Sequence, residues 1–309
     1  PPLPLDSEFV LQDVVVPCRS GETVLRQAVY IPLPAADGSP PRVLGLWVHR
    51  RAAPAESVAE AGAGDWRALL ASHRDELRRH FQLDQIIAMG PAMRRVVAQV
   101  RAAAATSVCV HLTGPRGSGR EFLARVIHAA SPAGARTLVP LDCSALTAFE
   151  LQRTLMRLLD DRRSLQSPTI ADRPAAVLLK EVAKLPRDLQ RLLCERWPAS
   201  TAGDLRWFST SNEPLDAAVA DERFIPELFY HLTGFTIDVP ALRSRRDDLP
   251  LLAQLFVEAQ NRLGDRQIGG LAPETLLALQ GYNWPGEARE LRAVICEAHA
   301  ASSGPLIQP

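Results

Sequence analysis

Gly114-Pro115-Arg116-Gly117-Ser118-Gly119-Arg120-Glu121, entered from the apolar run SVCVHLT and left through FLARVIHAAS, is the stretch on which the fold turns. Its spacing is GxxxxG followed by a basic residue, set between a strand of buried type and a helix. Glycines there let successive backbone N–H groups face an anion. The helix N-terminus adds its positive end, and the basic side chain reaches toward the outer phosphates. A glycine-rich turn by itself is more often plain structure, and even between strand and helix it is as often structural as phosphate-binding, so the residues that follow carry the weight.

Working outward, a helix runs from about Ala92 to Ala105. Beyond the loop the strand-like runs TLVPLD, AAVLL, LRWFSTS and FTIDV alternate with helical ones, the pattern of a parallel sheet covered by helices. The predicted class is α/β. After about Arg246 the strand signal stops, and DDLPLLAQLFVEAQNRL, APETLLALQGY and GEARELRAVICEAHAA read as a compact helical unit. Upstream, DWRALLASHRDELRRHFQL places Trp66, Leu69, Leu70, His73, Leu77 and Phe81 on one helical stripe, expected to be a packing or dimerising seam. A linker with few large apolar side chains precedes it. Residues 8–50 hold three β-branched runs separated by turn residues, read as antiparallel strands.

The 309 residues carry 35 Lys+Arg against 35 Asp+Glu and are 47% hydrophobic, which excludes disorder throughout and a polybasic chain that works by neutralising phosphates. Lysine occurs only at Lys180 and Lys184; arginine supplies every other basic residue. No apolar run approaches the roughly 20 residues a bilayer crossing needs, and PPLPLDSEFV lacks signal-peptide regions, so a cytoplasmic location is expected. Five scattered cysteines without a CxxC pair suggest neither disulfides nor zinc. With no initiator methionine, the chain is expected to be a piece of something longer.

From Ile86 to about Ile307 the chain resembles the central AAA+ domain of sigma-54-dependent transcriptional activators, the bacterial enhancer-binding proteins of nitrogen-regulator type. The matching blocks are IIAMGPAM, GPRGSGREFLARVIHAAS, VPLDCSAL, VLLKEVAKLPRDLQRLL, TSNEPLDAAV, RFIPELFYHL, IDVPALRSRRDDLPLL and YNWPGEARELRAVI. The resemblance implies an AAA+ P-loop parallel sheet with helices on both faces (residues 84–245) and a C-terminal helical lid (246–309). Before these would stand a β segment (1–50), similar to the end of a PAS or GAF sensor, and a linker with an amphipathic signalling helix (51–83). It implies nucleotide contacts at Gly114, Pro115, Arg116, Gly117, Ser118, Gly119, Arg120, Glu121, Lys180, Asn212 and Arg289, with Ile86 and Ile87 from the first block.

The family loop reads GExGxGKE, so Arg120 stands at its lysine. The acid pair of the family falls on Lys180-Glu181: the magnesium-organising aspartate is a lysine, and the residue that polarises water, the candidate catalytic Glu181, is retained. The sensor pair is Ser211-Asn212. Two arginines that the family reaches into a neighbouring subunit fall on Ile225 and His231. The GAFTGA loop that pushes on sigma-54 should lie between Cys143 and Ala175, where SALTAFELQRTLMRLLDDRRSLQSPTIADRPA holds no such motif and reads as helical.

Arginine for lysine is not conservative in a loop that wraps a compact ammonium. A lysine for the aspartate should repel Mg²⁺, which argues against the metal while ATP or ADP stays admissible. Two readings of Lys180 stand open: it replaces the metal near the phosphates or pairs with Glu181, or it is solvated or salt-bridged in a dead site. Loss of an arginine finger alone costs on the order of 10³–10⁵ in rate in other nucleotide hydrolases, so ATP hydrolysis is not expected. The expected function is a sigma-54-family regulator with a degenerate AAA+ domain. The alternatives are an active ATPase driving sigma-54 transcription, and a scaffold that binds no nucleotide and heteromerises with an intact activator. Implied partners are copies of itself or related AAA+ regulators, and DNA through a helix-turn-helix beyond residue 309. Engagement of sigma-54 is not expected. His111 and His128 are expected to be packed or surface residues, with no metal ligand among them, and SRRDD at 244–248 to form ion pairs at the start of the lid.

Overall fold

The computed structural model describes residues 10–17, 23–33 and 42–48, and then 81–134, 137–160, 176–197, 205–264 and 266–309. The chain divides into two units, Pro1–Arg67 and Ala68–Pro309. In the first, β1 (Val10–Pro17), β2 (Thr23–Leu33) and β3 (Arg42–Val48) form an antiparallel meander in the order β1-β2-β3. Val16 pairs with Val24 and Tyr30 with Gly45, so the strands follow the three runs read from the sequence. The stripe residues Trp66 to Leu77 lie outside the described residues.

In the second unit α1 (Pro91–Ala104) leads into β4 (Val110–Thr113), the glycine loop and α2 (Arg120–Ala130). There follow β5 (Leu138–Asp142), α3 (Ala148–Asp160), β6 (Ala176–Lys180), α4 (Arg187–Arg196) and β7 (Arg206–Ser211). Two short helices, α5 (Leu215–Ala220) and α6 (Pro226–Leu232), precede β8 (Phe235–Asp238). The five strands are parallel in the order β5-β6-β7-β4-β8.

The sheet is buried on both faces, and the period of two along each strand sorts its side chains between two cores. Ala176, Leu178, Phe208, Val110, Leu112 and Ile237 pack with α1 and α2 through Val96, Val100, Leu123 and Ile127. Val177, Leu179 and Trp207 face the opposite way, onto Leu151 and Leu155 of α3, Leu193 of α4 and Leu228 and Leu232 of α6. This is why AAVLL is apolar without alternation: both parities are inside. Phe81 and Leu83, just before α1, pack on the first core, with the Phe81 ring 5.8 Å from that of Phe122.

The lid has its own core, built by α7 (Leu249–Asn261), α8 (Pro273–Gly281) and α9 (Glu287–Ala301) around Leu249, Val257, Trp284, Leu291 and Ile295. Contrary to the helix-only reading of this region, β9 (Gly270–Leu271) pairs with β10 (Leu306–Ile307) in parallel. Two residues per strand are too few to leave a periodic signal. Among the described residues no helix is long and apolar enough to cross a membrane.

Phe208 is fully buried at the centre of the sheet. Phe208→Ala is expected to lower unfolding free energy by about 3–5 kcal/mol, read as a drop in the urea midpoint with unchanged slope.

Candidate functional site

The loop at 114–119 leaves β4 and enters α2 through three glycines with positive φ: 143° at Gly114, 94° at Gly117 and 104° at Gly119. Gly117 is also where the lid comes down. A Cβ placed there would lie 2.5 Å from the Gly286 carbonyl oxygen and 3.3 Å from the Cβ atoms of Glu287 and Arg289. Only glycine meets both demands, since an L side chain at that φ is strained and the space is taken. The lid junction holds the loop from another side: Arg245 Nη2 donates to the Ser118 carbonyl at 2.7 Å, while its Nη1 meets the Met93 sulfur. Asp248, fully buried, accepts from the backbone of Met89 at 2.6 Å and Gly90 at 3.3 Å, closing the start of α1. Within SRRDD, Arg245 and Asp248 thus bind backbone on the loop and just before α1, and the Asp248 and Glu287 charges act favourably on the buried Arg245 guanidinium.

Arg120, first residue of α2, is 6% exposed, and its Nη2 donates to Glu181 Oε1 at 2.7 Å. Its Nη1, and the buried Ser118 hydroxyl, have no hydrogen-bond partner among the described residues. Glu181 follows β6 directly and takes the left-handed conformation (φ 52°, ψ 50°), rare for a residue with a side chain. Its N–H donates to Thr210 Oγ1 at 3.2 Å.

Lys180 is the last residue of β6, paired in register with Asp142 at the end of β5. Its Nζ stands 3.1 Å from Asp142 Oδ2 and 3.2 Å from Glu121 Oε2. Glu121 also accepts from Arg125 one turn on, at 2.8 Å. Burial alone would lower the Lys180 ammonium's pKa, but the Asp142 hydrogen bond and the Glu121 charge outweigh it and raise it. Burial likewise opposes ionisation of Glu121 and Asp142. Arg125 with Lys180, and the Ser144 hydroxyl with Lys180, respectively overcome it and hold both carboxyls below their usual range. The expected pairing of Lys180 with Glu181 is not what the structure contains: its partners are Glu121 and Asp142.

These residues do not suit Mg²⁺. The ion wants near-octahedral oxygen at about 2.0–2.1 Å, yet each carboxylate beside the loop is already engaged by a side-chain cation. Among the described residues no cluster of His, Cys, Asp and Glu could hold a metal. A phosphate is another matter: the glycine cradle, the α2 N-terminus and the unpartnered Arg120 Nη1 and Ser118 Oγ all offer donors to an anion.

The remaining positions surround this centre unevenly. Arg116, Asn212 and Arg289 are exposed, Pro115 and Ile87 half-buried. Arg289 is placed against the loop at Gly117 by its Cβ. Ile86 is 9% exposed and packs into the core beneath α1 and α2. Beneath the loop, His111 is buried between two strands, its Nδ1 2.8 Å from Ser209 Oγ and its Nε2 3.1 Å from Ser211 Oγ. Ser211, the sensor-pair residue, donates onward to the Glu213 carbonyl at 2.6 Å. His128 packs edge-on against Phe208.

Residues 87–242 match the model of the Sigma-54 interaction domain, and residues 243–309 that of an AAA+ ATPase lid domain. The chain belongs to the sigma-54 activator family. Among curated members, it is 34% identical over 247 residues to the formate hydrogenlyase transcriptional activator FhlA of Escherichia coli K12, an alignment covering 74% of this chain and 35% of that protein. It is 30% identical over 276 residues to the E. coli K12 DNA-binding transcriptional activator HyfR, covering 80% of this chain and 41% of the other. The chain therefore spans about two-fifths or less of these relatives. In fold it is similar to Brucella abortus NtrX solved in complex with ADP, with a TM-score of 0.59 at 24% identity over 79% of this chain and 59% of that one.

Ile225 and His231, where the resemblance places two trans-acting arginines of this sigma-54 family, pack within the subunit. Ile225 packs on the α3/α4/α6 core and donates its N–H to Gln190 Oε1 at 2.8 Å. His231 stacks on Trp197, ring centroids 4.9 Å apart and 12° from parallel, and Trp197 in turn lies 5.1 Å from Trp207. Where the GAFTGA loop was sought, Ala148–Asp160 is helix α3; residues 161–175 lie outside the described residues. Sequence reading passed over Asp142 and Arg245. An acid at the end of β5 becomes informative only once the register sets it beside Lys180, and nothing in SRRDD distinguishes the arginine that turns inward.

Two outcomes are expected. Gly117→Ala lifts the lid from the loop, seen as faster amide exchange across 286–291 with little change in the sheet. His111 is held neutral by burial and by the Arg120 charge, its pKa lowered to about 4 from 6.5. The unfolded chain binds the proton first, so this stability is complete above pH 6.5 and is lost as pH falls through 4, on the order of 3 kcal/mol. His111→Val should flatten the slope of unfolding free energy between those pH values; an unchanged slope would assign the pH dependence elsewhere.

Proposed function

We propose that this chain is the AAA+ module of a sigma-54-family transcription regulator that no longer hydrolyses ATP. The observation that carries this reading is that the three carboxylates beside the loop, Glu121, Asp142 and Glu181, are each paired with a side-chain cation. Glu181, the candidate for polarising water, is held by Arg120 at 2.7 Å, and Lys180 stands between Glu121 and Asp142 where the family places its metal-organising aspartate. Phosphoryl transfer needs cations and an oriented water at the terminal phosphate. Here the carboxylate is in an ion pair, the metal is not accommodated, and the positions of the two trans arginines hold Ile225, in the core, and His231, in an aromatic stack.

Nucleotide occupancy of the loop fits the same residues, and Brucella abortus NtrX has been solved with both ADP and ATP. On this reading the module serves regulation through assembly with copies of itself or with related AAA+ regulators, with DNA contacted by sequence outside this chain. Without a GAFTGA motif, it does not push on sigma-54. The test is phosphate release by the purified protein with ATP and Mg²⁺. The expected rate equals buffer, with Glu181→Gln indistinguishable from wild type; a robust magnesium-dependent rate abolished by Glu181→Gln would overturn the proposal.

A further inference from the structure

We infer that this module binds its nucleoside phosphate as the metal-free anion, with the Lys180 ammonium and the Arg120 guanidinium doing the electrostatic work of a divalent cation. The inference deepens the reading above, resting on the loop as a phosphate site but not on the absence of hydrolysis.

Three observations converge. First, the acids that could ligate a metal are taken. Glu121 and Asp142 meet Lys180 Nζ at 3.2 and 3.1 Å, and Glu181 meets Arg120 at 2.7 Å. A metal would have to break an ion pair for each carboxylate it won, and Arg120–Glu181 is buried enough for that loss to be large. Second, charge is conserved by a different route. Exchanging an aspartate for Lys180 adds two positive charges at that point, the same charge that Mg²⁺ brings. A polyphosphate entering without its metal thus meets a field similar to the one a metal-bearing site provides.

Third, unused donors face no protein acceptor. An ammonium has three N–H bonds, and Lys180 commits two of them to Asp142 and Glu121, leaving one on a side chain that is 29% exposed. Arg120 Nη1 and Ser118 Oγ are buried donors with no partner among the described residues. A buried guanidinium N–H without an acceptor is costly, and a phosphate oxygen is the acceptor its geometry suits. Lys180 ends β6 and Arg120 opens α2, and each pairs with the sequence neighbour of the other, Lys180 with Glu121 and Arg120 with Glu181.

The test is calorimetric titration of the folded chain with ADP and with ATP, in excess EDTA and in Mg²⁺. Wild type is expected to bind in EDTA at least as tightly as in Mg²⁺. Lys180→Met should lose about tenfold or more in EDTA, the value of one charged hydrogen bond. Lys180→Asp, which restores an acid, should bind better with Mg²⁺ than without. Circular dichroism checks that each variant is folded, and Lys180→Met, which keeps the stem length, covers the case in which Lys180→Asp does not fold. The inference is overturned if Mg²⁺ tightens wild-type binding about tenfold, or if folded wild type gives no heat in either buffer. Both of those results leave the non-hydrolysing proposal standing, because only phosphate release bears on that.

Discussion

The Lys180 ammonium, wedged between the carboxylates of Asp142 and Glu121, is the constraint to which the rest of the site answers. It sits at the carboxyl end of the central strands, where a parallel sheet presents its ligand crevice. Strand register alone puts Asp142 beside it. With that ammonium in place, Glu121 and Asp142 are neutralised from within the protein, and Glu181 pairs across the loop with Arg120. On the proposed reading, in which Lys180 stands where the family has an aspartate, neutral overall charge in the sequence hides a local reversal.

The lid completes the arrangement. Its helix α9 begins against Gly117, Arg245 from the junction reaches the Ser118 carbonyl, and Asp248 clasps the start of α1. Loop, lid and first helix are thereby mechanically one assembly, built on backbone contacts that do not require a ligand's charges. Ile225 packs against the core of its own subunit and His231 stacks on Trp197. On the proposed reading, a module so arranged grips an anion while the carboxylate of Glu181 is engaged by Arg120.

Much of this was legible beforehand. The strand, glycine loop and helix at 110–130 could be read directly, because an apolar run, a GxxxxG spacing and a helical pattern follow one another there. The AAVLL run announced a strand buried on both faces, and the substitutions at Arg120, Lys180, Ile225 and His231 were visible by their motif positions. Partners were not. Lys180 could have paired with Glu181, its neighbour, but successive residues leaving a strand diverge, and Glu181 turns into the left-handed region while Lys180 continues along β6. Asp142 is distant in sequence and was found only through register. Arg245 looked like one more surface arginine in a chain full of them, and burial at 6% exposure was what distinguished it.

On the proposed reading, side-chain cations occupy the place a divalent metal holds in related sites. A crystal of the chain grown with ATP and manganese, measured with anomalous diffraction, tests this most directly. The expected result is nucleotide phosphates contacted by Lys180 Nζ and Arg120, with no anomalous peak between them and Glu181. An anomalous peak bridging the phosphates and Glu181, with Lys180 swung away from Asp142, would contradict it.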